Sequence, residues 1–305
     1  MLGAQTSRSR AGGQAVKHIL VATDFSARSD RASRRAVLTA RTIEAELTLV
    51  HVVDDDQPNY LMERQRSAAT ELLGQMTTTL AEVDKVASRM IVTTGDAFDG
   101  ILRTAAEINP DLIIVGPHRR QFLDTFVGTT AERTIQRSRH PILMANAVPS
   151  GSYNRILLAT DLTDASRSAV TSADRLGILT GVDIVALHLF DAPAIGMMKR
   201  AMEVPDAINH YVSVEEKRAR SEFMSFLAGC GLQGARLKLS PMQGSVAAAI
   251  RACADEQEVD LIVLGTSQRT GIERFLLGSI AQAVLLDAAQ DVLVVPPRQP
   301  DETSL

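Results

Sequence analysis

A stretch beginning at His18, HILVATDFSARS, returns at Arg155 as RILLATDLTDAS, which places Asp24 and Asp161 at equivalent positions 137 residues apart. His51 in LTLVHVVD and His188 in IVALHLFD keep the same offset. Further along, DLIIVGPHRR from Asp111 matches DLIVLGTSQR from Asp260 at an offset of 149. Gly128 in FVGTTAERTI matches Gly278 in LLGSIAQAVL at 150, as do PILMANAV from Pro141 and DVLVVPP from Asp291. A nearly constant offset, broken by small gaps, marks a duplicated domain, so any fold for this chain is two copies of one unit. The length of 305 residues suits that count, at roughly 150 residues per domain. Copies are expected over 16–148 and 155–298. A Pro/Gly/Ser-rich join lies at 149–154, with polar tails at 1–15 and 299–305.

Within the first copy, short aliphatic runs at Ile19–Ala22, Leu47–Val53, Met90–Thr93, Leu112–Val115 and Ile142–Met144 lack polar alternation. Strands covered on both faces read this way, as in a parallel sheet between helices. Helical spacing separates them: Ala68, Leu72, Leu73, Met76, Leu80 and Val83, then Ile101, Ala105 and Ile108. In the second copy, Ser213 and Glu216 predict a capping box opening a helix that runs to about Ala228 and stops at Gly229 and Gly231. Five strands and four helices per copy predict an α/β fold of two tandem open five-stranded sheets, parallel in type, with helices on both faces. The Met-rich segment Asp191–Val212 carries most of the second copy's extra length. It reads as a surface excursion packed on its own domain or as an adaptable lid.

Composition narrows the function. The chain is 45% hydrophobic with a net charge of −4, unlike a protein that grips nucleic acid through a broad basic face. No apolar run reaches the ~20 residues of a membrane span, and no signal-peptide core precedes Val16, so the expectation is a cytoplasmic protein. Two cysteines, Cys230 and Cys253, read as small apolar residues rather than a disulfide or zinc framework. No Gly-Lys dipeptide occurs, which removes a P-loop, and the expected metal ligand set is empty.

In doubly wound sheets ligands bind beyond the carboxyl ends of the strands, where strand order reverses. Asp24 and Asp161 end the first strand of each copy, and His51 and His188 stand near the end of the second. Glycine-bounded loops follow the fourth, from Gly116 to Gly128-Thr129-Thr130 and from Gly265 to Gly278-Ser279. The leading glycine permits close backbone approach or a left-handed φ. The trailing Gly-Thr or Gly-Ser opens a helix whose N–H groups favour an anion, with Thr129 or Ser279 as N-cap and ligand contact. The two histidines read as structural rings bonded to nearby backbone, because no nucleophile is signalled beside them.

The pattern ILVATDFS, LVHVVD, DLIIVG, VGTTAERTI and PILM, present once per half, resembles the universal stress protein family over residues 16–297. The resemblance implies a five-stranded α/β domain and, in one branch, binding of ATP or another adenine nucleotide, with Mg²⁺ as a companion ion. The branch pattern is Gly, two residues, Gly, nine residues, then Gly-Ser or Gly-Thr. Carried onto this chain, it implies a second-copy site of Ala159, Thr160, Asp161, Leu189, Leu264, Gly265, Ser267, Gln268, Gly278, Ser279 and Ile280. The first-copy counterparts are Thr23, Asp24, Val52, Gly116, Gly128, Thr129 and Thr130. The aspartates would sit by the ribose, Val52 and Leu189 by the adenine, and the loop ends by the phosphates.

Both loops depart from the pattern. Gln268 and Arg119 replace the second glycine, and the first loop is one residue shorter. A Cβ in left-handed backbone costs ~1–2 kcal/mol, whereas a deletion displaces every later N–H by ~3 Å. The second copy is therefore expected to be the nucleotide site and the first to be degenerate, although His118, Arg119 and Arg120 offer charge. The resemblance further implies antiparallel pairing of the two final strands, here within one chain as a pseudo-dimer. Association of two chains, and an unknown protein partner, stay open. The overall expectation is a stress-response regulator rather than an enzyme. Two alternatives remain: a scaffold or small-ligand module that takes no nucleotide, and a slow ATPase using Ser267, Gln268 or Arg269.

Overall fold

A computed structural model describes residues 17–117, 129–202, 204–266 and 277–297. The two expected tails and the calls on His118, Arg119, Arg120, Gly128, Ser267, Gln268 and Arg269 lie outside them. The first half runs β1 (Lys17–Ala22), α1 (Ala27–Ile43), β2 (Ala45–Val53), α2 (Asn59–Thr79, closed by a π turn at Leu80–Asp84), β3 (Ser88–Thr94), α3 (Ala97–Ile108), β4 (Leu112–Val115), α4 (Thr130–Arg137) and β5 (Ile142–Met144). The second runs β6 (Arg155–Thr160), α5 (Asp164–Leu176), β7 (Asp183–Phe190), α6 (Ile195–Arg200), α7 (Pro205–Gly229), β8 (Arg236–Pro241), α8 (Val246–Glu256), β9 (Leu261–Gly265), α9 (Ser279–Asp287) and β10 (Asp291–Val295).

The strands form one ten-stranded sheet in the order β3-β2-β1-β4-β5-β10-β9-β6-β7-β8. All pairings within a half are parallel. The two halves meet at β5 and β10, which pair antiparallel with Val292 opposite Met144 and Val294 opposite Ile142. Alternate residues of each strand feed opposite core layers, as the pleat requires. Ile19, Val21, Leu112 and Ile114 pack beneath α1 and α5, while Leu20, Ile113 and Val115 pack beneath α3, α4, α8 and α9. Both layers run through both halves, so the seam is core rather than a docked surface. No described helix is long and apolar enough to cross a membrane.

Side-chain caps fix where several helices begin. Ser26, Asp96, Thr163 and Ser245 accept from backbone N–H groups in the first turns of α1, α3, α5 and α8, each cap contributing about 1 kcal/mol. Three expectations are corrected. Helix α7 begins at Pro205, not at Ser213, because proline at the first helical position starts the helix without a side-chain cap. Ser213 and Glu216 thus lie in its interior. In α2 only Ala69 and Leu73 are buried, whereas Ala68, Leu72 and Val83 of the expected apolar stripe are exposed. Among its described residues the second half holds five helices rather than four, because the Met-rich segment forms α6 and the start of α7, with Met197 and Met202 exposed.

The join is pinned by side chains. Asp291, fully buried at the start of β10, accepts from Tyr153 Oη at 2.7 Å and from Ala147 N at 2.9 Å. Arg35 of α1 brings Nε to 2.7 Å from the same carboxylate, an ion pair without hydrogen-bond alignment. Its Nη1 donates to Gly151 O at 2.8 Å, and its guanidinium lies 4.2 Å from the centre of the Tyr153 ring. Asn146 donates across the seam to Ala288 O and Gln290 O. First half, join and second half are thereby fastened at one buried point.

Candidate functional site

The strand order reverses where β1 lies between β2 and β4, and again where β6 lies between β7 and β9. A cleft opens at the carboxyl end of each reversal, as doubly wound sheets dictate. The first, about 460 Å³, is lined by Thr23, Asp24, Arg28, Val52, Gly116, Thr129 and Thr130 among others. The second, about 640 Å³, is lined by Ala159, Thr160, Asp161, Leu189, Leu264, Gly265, Gly278, Ser279 and Ile280, together with Met242, Val246, Ile250, Thr266 and Leu277. Both volumes fall in the range of small-molecule sites, roughly 300–1,000 Å³. Every expected site residue that lies within the described residues therefore lines one of the two clefts.

The aspartates occupy matching turns with different partners. After β6 the chain passes through a left-handed Leu162 into the Thr163 cap, as after β1 it passes through Phe25 into Ser26. Asp161 Oδ1 accepts from Thr163 N at 3.1 Å, Thr163 Oγ1 at 2.6 Å and Ser166 Oγ at 2.7 Å. Its Oδ2 has no partner among the described residues. Burial pushes the Asp161 carboxyl up, but the donors from Thr163 and Ser166 outweigh it and hold the group below the ordinary carboxylate value. Asp24 is also held low, with burial opposing and hydrogen bonds from Ser26 and Ser29 prevailing, and here the Arg28 guanidinium helps. Arg28 Nη2 stands 3.8 Å from Asp24 Oδ2 inside the first cleft, and the residue at the matching position of the second half is Ala165. The first carboxylate already has a cationic neighbour on the oxygen that the second leaves free.

The helix termini differ as well. Thr129 is the N-cap of α4, its hydroxyl accepting from Glu132 N at 3.1 Å. In α9 the N-cap is Gly278, with no side-chain cap, and Ser279 is the first helical residue. The expectation that Ser279 is itself the N-cap is thereby corrected. An extended Gly278 (φ −60°, ψ 149°) places the serine inside the helix and leaves the first amides without an intramolecular side-chain acceptor among the described residues.

Glycines 116 and 265 have a purpose that the sequence left open. A Cβ on Gly265 would stand 2.6 Å from Ala165 O, and one on Gly116 would stand 2.8 Å from Arg28 O. Close passage of the α5 or α1 backbone, not a left-handed φ, excludes side chains there. Gly278 differs, because no atom of the described residues lies within 4 Å of a Cβ built on it. Gly265→Ala is accordingly expected to lower stability by about 1–3 kcal/mol as helix and strand are pushed apart. Gly278→Ala should cost about 0.5–1 kcal/mol, the usual difference between glycine and alanine at an N-cap, with urea midpoints of the two variants making the comparison.

His51 Nδ1 donates to Thr23 O at 2.8 Å, and His188 Nδ1 to Thr160 O at 3.0 Å. Each ring ties the second strand of its half to the turn that carries the aspartate, as read from the sequence. Among the described residues no group of three or more His, Cys, Asp or Glu side chains is placed to hold a metal ion. Residues missed by sequence reasoning include Arg28 in the first cleft, Met242, Val246, Ile250, Thr266 and Leu277 in the second, and Gly100 behind Val52. Gly100 of α3 packs against Val52, where a Cβ would stand 2.7 Å from its methyls. Met242 follows β8, whose parallel register with β7 sets it one step beyond Phe190 and Pro241. A strand-end count on β8 would have found it.

A family model described as the universal stress protein family matches residues 15–146 and again 152–296. A universal stress protein of Mycolicibacterium smegmatis is 25% identical over 298 residues, covering 92% of this chain and 97% of that protein. One from Methanocaldococcus jannaschii is 28% identical over 144 residues, covering 47% of this chain and 82% of its own length. Among solved structures, a universal stress protein from Archaeoglobus fulgidus superposes with a TM-score of 0.66 at 17% identity, covering 92% of this chain and 98% of that one. A functionally unknown protein from Pseudomonas aeruginosa superposes at 0.67 with 20% identity, covering 93% of each chain. Those two likenesses concern the fold alone.

Proposed function

The chain belongs to the universal stress protein family as a tandem two-domain member, and on that premise we propose that it is a stress-response regulator binding an adenine nucleotide chiefly in its second half. The reading rests on the contrast between the two aspartates. Asp161 offers a pre-oriented carboxylate whose Oδ2 has no partner among the described residues, beside a cleft of about 640 Å³. Asp24 at the matching place faces Arg28. A carboxylate held in place by three donors to Oδ1, with Oδ2 turned to no partner among the described residues, suits the paired hydroxyls of a ribose. Leu189, Val246, Ile250 and Leu264 give the apolar surface that a purine ring requires, and Gly278 and Ser279 bring the amides of α9 to the side where phosphates would lie. The role is one of binding rather than catalysis: His51 and His188, whose rings are engaged with backbone carbonyls, are not among the described lining residues of either cleft.

One observation favours a second reading, a module for a different small ligand or a protein. No lysine or arginine occurs among the described lining residues of the second cleft, so any phosphate there would depend on amides and the helix dipole.

The test is direct. Acid extraction of the purified protein should release adenine nucleotide, and Mg-ATP at a hundredfold excess over its Kd should raise the melting temperature by roughly 4 °C. An empty extract together with an unchanged melting curve in millimolar Mg-ATP would give the case to the second reading.

A further inference from the structure

A cavity of about 850 Å³ lies between α1 and α2, on the face of the first half that carries α1 rather than at the strand ends. Phe25, Leu38, Leu72, Met76 and Leu80 wall it, and Phe25 and Leu72 remain 37% and 44% exposed. Large apolar side chains kept open to solvent around a concave surface mark a site rather than a packing residue.

The second half shows what a closed version of the same layer looks like. Leu49 and Phe25 line the cavity, and their equivalents Ala186 and Leu162 belong to a cluster closed by Phe223, Phe226 and Leu227 of α7, all three nearly or fully buried. Helix α2 brings no phenylalanine, and its only aromatic residue, Tyr60, is exposed. The helix walls differ too, since Leu38 and Arg34 of α1 are matched in α5 by Arg175 and Thr171. Among the described residues, the open apolar layer rimmed by the Arg34–Asp30 and Arg41–Asp84 pairs therefore belongs to the first half alone.

That rim defines the ligand. Arg34 and Arg41 stand at the rim two turns apart on α1. Arg34 is held by Asp30 at 2.8 Å, whereas Arg41 meets Asp84 only at 3.8 Å and is exposed, leaving its fork available to an anion. We propose that this cavity is a second ligand site, separate from the strand-end clefts, which takes a free single-chain aliphatic anion. The acyl chain lies along Leu38, Leu72 and Met76, and the carboxylate pairs with Arg41 in place of Asp84. The walls are chiefly aliphatic and flexible, which fits an alkyl chain better than a flat ring. The site does not depend on nucleotide binding.

The experiment is calorimetric titration of the full chain with sodium dodecanoate below its micellar concentration, with dodecanol as the uncharged match. One saturable site per chain is expected, with dodecanoate binding at least tenfold more tightly than dodecanol. Arg41→Gln should remove that preference, and Leu72→Glu should weaken dodecanoate at least tenfold with an unchanged melting temperature, because position 72 is exposed. If Leu72→Glu lowers the melting temperature, Leu38→Trp, which occupies the cavity with an apolar side chain, makes the same comparison. The proposal is overturned by non-saturating uptake, by affinity that both cavity variants leave unchanged, or by equal binding of acid and alcohol. It is equally overturned if the protein sediments with phosphatidylglycerol vesicles but shows no saturable dodecanoate site, which would make the face a membrane contact.

Discussion

Replacing Asp291 with alanine is expected to lower the stability of the chain by about 3–5 kcal/mol, the usual cost of removing one member of a buried ion pair. The carboxylate is fully buried and serves Arg35, Tyr153 and Ala147 together. Its removal strands a guanidinium that is itself nearly buried, and leaves a phenol and an amide without their acceptor. Burial pushes the Asp291 carboxyl above the ordinary value despite Arg35, Tyr153 and the Ala147 amide, so the ion pair is a fastening bought at a desolvation cost. Combining Arg35→Met with Asp291→Leu should restore much of the loss, since an apolar pair of similar volume avoids the stranded charge. Urea unfolding of the single and double variants decides the matter. A midpoint in Asp291→Ala equal to the parent's would mean that the seam strands alone hold the halves.

Gly278→Val is expected to weaken adenine nucleotide binding at least a hundredfold, about 2.7 kcal/mol, while costing the fold about 1 kcal/mol or less. The open space around a Cβ at this position lets the chain accept valine. The branched side chain would then stand at the first amides of α9, where a phosphate would lie. Ser279→Ala should have the milder effect, because Ser279 lines the cleft without being the cap and its backbone amide stays in place. Calorimetry with Mg-ATP separates the two variants. Undiminished affinity in Gly278→Val would place the phosphates elsewhere.

Much of this architecture was legible before any coordinate. The unbroken aliphatic runs marked the strands, and all five of the first half lie where the runs predicted; β1, β2, β4 and β5 are buried as a doubly covered parallel strand should be, whereas β3, at the sheet edge, is only partly covered, with Met90 40% exposed. The aspartates were findable because they end those runs. What escaped reading depended on contacts between distant residues. Nothing near Gly265 announces the carbonyl of Ala165, and nothing near Arg35 points to a carboxylate at Asp291. In α7 the local signal at Ser213 competed with Pro205, and the proline decided the start. The exposure of Leu72 was equally invisible, since helical periodicity identifies an apolar face but not whether a neighbour covers it. Arg28, one turn beyond Asp24, looks like an ordinary helical surface residue until the cleft is seen around it.

The antiparallel seam between β5 and β10 has a consequence for how this protein behaves when scarce. In a chain carrying one copy, the same edge would find a mate only by collision, so the paired form would fade on dilution. Here both edges travel on one polypeptide at a fixed ratio, and their union is insensitive to how many molecules the cell holds. The arrangement also shuts out exchange with foreign copies at that edge, which lets the two halves diverge without either having to fit a stranger.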